Sequence, residues 1–137
     1  ETFPEDAPIS SANFMAYVDE GFYDGADGLG ATVFHRVIAG FMAQTGDPKG
    51  NGTGGSGQNL DAEFSDERHV RGTLSMARSQ SPNSADSQFF IVFSRSRFLD
   101  GKYTVWGQVE SGMDHVDALP KGEPPAQPGK IVKASVS

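Results

Sequence analysis

Apolar positions in this chain fall into short alternating runs more often than into helical stripes. In residues 33–38, Val33, His35 and Val37 alternate with Phe34, Arg36 and Ile38, which predicts a strand with the two sets on opposite faces. Ala39-Gly40 breaks the run, and a second strand begins near Phe41, with Met42 and Gln44 on a common face. Residues 72–77 predict another strand. Residues 87–93 give the strongest signal, with Gln88, Phe90 and Val92 facing one way and Phe89, Ile91 and Phe93 the other. Residues 103–109 enclose Trp106 in a further strand, residues 131–136 alternate as a final one, and Glu1-Thr2-Phe3 reads as the tail of a strand.

Helical spacing occurs twice. Phe14, Tyr17 and Val18 mark a core-facing stripe in residues 9–20, with Asp6 as candidate N-cap, Pro8 in the first turn and Gly21 as the stop. Met113, Val116 and Leu119 mark a shorter helix starting near Gly112. Strands that do not alternate regularly with helices predict an antiparallel α+β or barrel architecture, in one domain over residues 1–137. The intervening segments are loops: 23–30 is rich in Gly and Asp, 64–71 is charged, 78–86 is rich in Ser and Asn, and 120–128 is rich in Pro and Gly. Residues 98–102 form a turn carrying two exposed hydrophobes, Phe98 and Leu99.

Composition narrows the chemistry. The chain has 137 residues and no cysteine, which excludes disulfides and thiolate nucleophiles, and a net charge of −7, which argues against nucleic acid or an anionic membrane as partner. No run approaches the roughly 20 apolar residues that cross a bilayer. No export signal is visible, so a cytoplasmic location is expected, or a periplasmic one if an upstream signal has been removed. Gly50, Gly52 and Gly55 match the spacing G-x-G-x-x-G. They lack the preceding strand and following helix that a dinucleotide site needs, and residues 46–57 read as a surface loop. His35, His69 and His115 have no metal-ligand spacing and are assigned structural or solvent-exposed roles, with no metal and no cofactor expected. No G-x-S-x-G elbow supports serine hydrolysis, and Asn51-Gly52-Thr53 matches a glycosylation sequon only by loop composition. Arg36 stands in an apolar, β-branched run where a lone guanidinium is expensive to bury. With Phe41, Met42 and Gln44 nearby it suggests a site, and an arginine capping a sheet edge fits the same residues.

The segments 34–38 (Phe-His-Arg-Val-Ile), 40–44 (Gly-Phe-Met-Ala-Gln), 74–77 (Leu-Ser-Met-Ala), 87–91 (Ser-Gln-Phe-Phe-Ile) and 98–102 (Phe-Leu-Asp-Gly-Lys) together resemble the cyclophilins, which are peptidyl-prolyl cis–trans isomerases. The likeness covers nearly the whole chain in the family's order, and the loop 77–85 is similar to the bacterial branch. It implies a mainly β fold, a closed antiparallel barrel capped by two α-helices, here without the N-terminal hairpin. Arg36 would be the catalytic residue. Phe41, Met42, Phe90 and Leu99 would form the proline pocket, Gln44 and Gln88 would bind the substrate backbone, and Ala77-Arg78 would pair with the residue before proline. Phe98 and Tyr103 stand where the best-known members carry tryptophan and histidine, which implies weak cyclosporin binding at most. The implied partners are proline-containing peptides and folding proteins, the expected state is a monomer, and the loop between Tyr23 and Thr32 is longer than the family's. A non-catalytic proline-binding module and a folding chaperone are the alternatives on this fold; the presence of Arg36, Phe41, Gln44 and Phe90 counts against the first.

Overall fold

In chain order the elements are helix α1 (Pro8–Glu20), a small hairpin of β1 (Asp24–Gly25) and β2 (Gly30–Ala31), strands β3 (Arg36–Ile38), β4 (Met42–Thr45), β5 (Thr73–Met76) and β6 (Phe89–Val92), a 3₁₀ turn (Arg97–Leu99), strand β7 (Val105–Gln108) and helix α2 (Met113–Asp117). The computed structural model describes residues 1–28 and 30–136; Leu29, within the loop expected over 23–30, and Ser137 lie outside the described residues. The five longer strands form one antiparallel sheet in the order β3-β4-β6-β5-β7. Thr2 bridges Gly107 beside β7, so the first residues do extend the sheet, and Gly122 bridges Val37 beside β3.

Alternation decides what each face buries. Val37, Ala43 and Phe93 pack with Met113, Val116 and Leu119 of α2. Phe89, Ile91, Met76 and Trp106 pack with Tyr17 and Val18 of α1, and Phe14 of the same stripe lies against them. Trp106 is fully buried, its ring 4.3 Å from that of Phe14 and 5.5 Å from that of Phe89. Aromatic burial of this kind dominates core energetics. The opposite face of the strands gathers a separate cluster, Met42, Phe90, Val92 and Leu99, and the site lies there.

Four local expectations give way to tertiary contacts. Asp6 does not cap α1: Ala7 holds the N-cap position without a side-chain bond. The carboxylate of Glu63 accepts from the N–H groups of Ile9 and Ser10 at 2.9 and 2.8 Å instead, supplying charge where the helix dipole favours it. Phe34 turns inward to join the core clusters, because β3 starts only at Arg36 and the preceding residues follow the pairings of Val33 with Lys130 and of Phe34 N–H with the Gly129 carbonyl. Residues 131–136 form no strand; they are held by Ile131 N–H on the Thr32 carbonyl and Ala134 N–H on Asp24. Leu99, expected to be exposed with Phe98, is buried under the site cluster. Gly21 does end α1, in the left-handed conformation, with its N–H turned back to the last helical carbonyls.

Candidate functional site

The register of four strands places the site. Arg36 pairs with Gln44, Gln44 with Phe90, and Phe90 with Ser75, so one row crosses β3, β4, β6 and β5 on a single face. The next row on the same face is Ile38, Met42 and Val92. Short strands with a strict two-residue period can bring an arginine, an amide and a phenylalanine side by side only if the register is fixed, and burial of the other face fixes it.

Arg36, Gln44, Met42 and Phe90 of these rows line a recess of about 160 Å³. Met42, Phe90 and Leu99 are buried in it, with Phe41 and Tyr103 packed alongside. Arg36, Gln44, Ala77 and Arg78 complete the wall. Of the residues singled out from sequence, Phe98 and Gln88 do not line it. Phe98 is 64% exposed and lies against Phe41 at the rim, the rings tilted by 39° with centroids 5.4 Å apart. Tyr103 meets Phe90 edge-on, and Arg78 lies over the Tyr103 ring at 4.5 Å. The Arg78 guanidinium is also tied to the carbonyls of Lys102, Ser79 and Gln80, so it braces the wall of the recess.

Gln88 belongs to a second, larger cavity of about 480 Å³ that shares Gln44, Ala77 and Arg78 with the first. Its amide nitrogen donates to the carbonyls of Gly52 (3.0 Å) and Gly54 (2.8 Å), and its oxygen accepts from Gln44 Nε2 at 2.9 Å. Gln88 therefore holds the glycine loop and orients Gln44. Two aspartates shape that loop. Buried Asp47 accepts from the N–H groups of Lys49, Asn51 and Gly52, and Asp86 accepts from those of Ser56 and Gly57. Burial raises the Asp47 pKa, but the backbone donors outweigh it and hold the carboxyl below its ordinary value. The first of these contacts is an Asx turn, a signal that Asp47-Pro48 carries in sequence.

Behind Phe90 lies a group that sequence reasoning left without a partner. His69 is wholly buried, its Nδ1 3.1 Å from Asp100 Oδ1 and its Nε2 2.9 Å from Ser75 Oγ, and its ring is nearly parallel to that of Phe90 at 6.1 Å. The order Ser-His-Asp is that of a hydrolase relay, yet Ser75 and His69 are both sealed from solvent and no acyl group can reach them. Burial lowers the His69 pKa and keeps the ring neutral. Arg95, with the backbone N–H and ring of His69, holds the Asp100 carboxyl well below the usual carboxylate range. His35 is buried beside Gly52, and burial lowers its pKa too. His115 is exposed. Among the described residues no group of three or more His, Asp or Glu side chains could hold a metal, and no helix is long and apolar enough to cross a membrane.

Among the described residues, Arg36 and the braced Arg78 are the cations on the recess wall. Its Nε donates to Glu123 Oε1 at 2.7 Å, a partner that sequence reasoning missed.

Comparison with known proteins identifies the family. The family model for cyclophilin-type peptidyl-prolyl cis-trans isomerases matches residues 1–136. A protein of Brucella abortus named a probable peptidyl-prolyl cis-trans isomerase is 50% identical, over 99% of this chain and 75% of its own length. A peptidyl-prolyl cis-trans isomerase-like protein of Rattus norvegicus is 44% identical, over 88% of this chain and 74% of its own. Among solved structures, a Cryptosporidium parvum cyclophilin-type isomerase, crystallised in the presence of the dipeptide Ala-Pro, superposes with a TM-score of 0.88 at 33% identity, covering 100% of this chain and 90% of its own. A cyclophilin of Hirschia baltica superposes with a TM-score of 0.85 at 31% identity, covering 98% and 67%. Matched by that family model over residues 1–136 and 50% identical to the Brucella relative over 99% of its length, this chain belongs to the cyclophilin-type peptidyl-prolyl cis–trans isomerases.

Proposed function

We propose that this domain turns X-Pro bonds with Arg36 as its catalytic residue and the recess under Phe90 as the seat of the prolyl ring. Uncatalysed rotation takes tens to hundreds of seconds because amide resonance must be broken. At the twisted midpoint conjugation is lost and the prolyl nitrogen regains a lone pair. A donor aimed at that nitrogen binds the midpoint better than either planar isomer, which is the requirement for catalysis. An arginine stays charged and offers several fixed N–H groups for the task. No covalent step, metal or cofactor enters.

The observation that carries this reading is the row Arg36–Gln44–Phe90 across adjacent strands. A recess of about 160 Å³ is well under the roughly 300–1,000 Å³ of pockets that engulf a whole small molecule, so it suits one ring of a longer peptide. Met42, Phe90 and Leu99 would hold that ring while Phe41 and Tyr103 flank it. With Nε2 given to Gln88, Gln44 keeps its carbonyl oxygen for a substrate N–H. Ala77 has already given its N–H to the Gln88 carbonyl, so the residue before proline would pair with the N–H of Arg78, which has no backbone partner among the described residues. Segments further upstream would enter the larger cavity. Phe98, exposed at the rim in place of a tryptophan, supports the expectation of weak cyclosporin binding. The proposed state is a monomer acting on proline-containing peptides and folding chains. A fold without cysteine is equally suited to the cytoplasm, the compartment proposed, or to an oxidising periplasm.

Arg36→Ala tests the assignment. By analogy with lost electrostatic donors elsewhere, kcat/KM in a protease-coupled proline assay should fall about 10²–10³-fold with the fold intact. A near-normal rate would remove Arg36 from the mechanism.

A further inference from the structure

The side chain assigned to catalysis is long and half-exposed, and one carboxylate holds it. Arg36 Nε donates to Glu123 Oε1 at 2.7 Å, with the two side chains 44% and 56% exposed, and neither makes another hydrogen bond among the described residues. Glu123 lies 87 positions further along the chain and is delivered by backbone pairing. Val37 N–H donates to the Gly122 carbonyl and Gly122 N–H donates to the Val37 carbonyl, both at 2.9 Å. That bridge is one residue away from each member of the ion pair. Gly122 sits at φ +143° in a turn so tight that a Cβ there would stand 2.8 Å from Pro125 Cα. The carboxylate is therefore presented from backbone fastened to the strand that carries the arginine.

An exposed ion pair contributes little to folding stability; its consequence is orientational. Because the carboxylate takes Nε, the terminal nitrogens Nη1 and Nη2 have no hydrogen-bond partner among the described residues and are left to a bound peptide. A free arginine would lose rotamer freedom on engaging the prolyl nitrogen. One already gripped at Nε has lost much of that freedom before the peptide arrives. We infer that Glu123 is a positioning residue for the isomerisation, holding the Arg36 fork in its working rotation. The inference rests on the reading of Arg36 as the catalytic group.

The test compares Glu123→Ala, Glu123→Gln and Arg36→Ala, with kcat and KM measured separately and the Arg36 Nε–H resonance followed by NMR. Misplacing a transition-state donor should lower kcat of Glu123→Ala about 3–10-fold, with KM within about twofold of the parent. Glu123→Gln should recover to within about twofold of the parent kcat, because its amide oxygen accepts the same Nε–H bond. The Nε–H resonance should move towards that of a free arginine in the alanine variant alone. An unchanged kcat in Glu123→Ala, a loss confined to KM, or a glutamine variant no better than alanine would overturn the inference. Full activity in Arg36→Ala would instead overturn the reading of Arg36 beneath it, so the two failures are distinguishable.

Discussion

Replacing His69 tests whether the site is held from behind. The carboxylate of Asp100 can only accept, so His69 Nδ1 carries the ring proton, and in the neutral ring Nε2 accepts from the Ser75 hydroxyl. In His69→Ala, Ser75 can turn to the Thr104 carbonyl at 3.1 Å. Asp100 keeps Arg95 and the His69 backbone N–H. Neither neighbour is left bare, so the polar loss is one charge-assisted bond, about 1.5–3 kcal/mol. Deleting a fully buried ring adds a cavity term of about 2 kcal/mol. The sum, about 3.5–5 kcal/mol, is a large share of the stability of a domain this size and should be read in urea melts. Phe90 also loses the ring stacked behind it, and kcat/KM should fall about tenfold, equivalent to about 1.4 kcal/mol of misplaced pocket wall. His69→Phe keeps a ring there and drops both hydrogen bonds. It should lose about 1–3 kcal/mol of stability while keeping kcat/KM within about threefold. A loss below about 1 kcal/mol in the alanine variant, or equal loss of kcat/KM in both variants, would refute the idea that the imidazole backs the pocket.

Two further outcomes follow from buried groups. Gly46 lies at φ +95° at the start of the glycine loop, where a Cβ would stand 2.5 Å from the Ser87 carbonyl oxygen and 3.0 Å from Gln88 Cα, both backbone atoms. Gly46→Ala should therefore cost about 2–4 kcal/mol in urea melts, and a change under about 1 kcal/mol would contradict this. As to pH, burial lowers the folded-state pKa of His35 and His69, so the unfolded chain binds protons first as pH falls below the ordinary histidine value of about 6.5. Stability should be full above that value and decline on acidification with a limiting slope of about 1.4 kcal/mol per pH unit for each histidine. The lowered Asp47 and Asp100 add to the loss below the ordinary aspartate value of about 3.9. Urea midpoints at pH 7.5, 6.0 and 5.0 measure it, and a flat profile would count against burial of neutral imidazoles.

What the sequence discloses about this molecule depends on how far apart the interacting residues lie. The faces of β3, β4 and β6 were legible because a period of two is a local property: alternation put Arg36, Gln44 and Phe90 each on one face of its own strand, the resemblance implied a shared surface, and the register joins them. Phe34 broke the pattern once its neighbours were taken by residues 129 and 130, a pairing that no local window contains. Asp6 lost its capping role in the same way to Glu63, some fifty residues distant. Leu99 and Phe98 were indistinguishable as neighbouring hydrophobes in a turn, and only the Met42–Phe90 cluster beneath them separates a pocket floor from a rim. Polar groups obey the same logic more severely. A buried imidazole or carboxylate needs a partner, but its identity is set by topology. Asp100 and Ser75 flank His69 in space without any spacing that announces it, and Glu123 meets Arg36 through a loop whose composition marks only a turn. The one signal within reach was Asp47-Pro48, since an aspartate that bonds two residues ahead is again a local device. The strand faces that carry Arg36, Gln44 and Phe90 were therefore readable in this chain, and the groups that brace them were not. The first are distributed by strand period, whereas the second are recruited wherever the folded backbone leaves a charge or a ring unsupported.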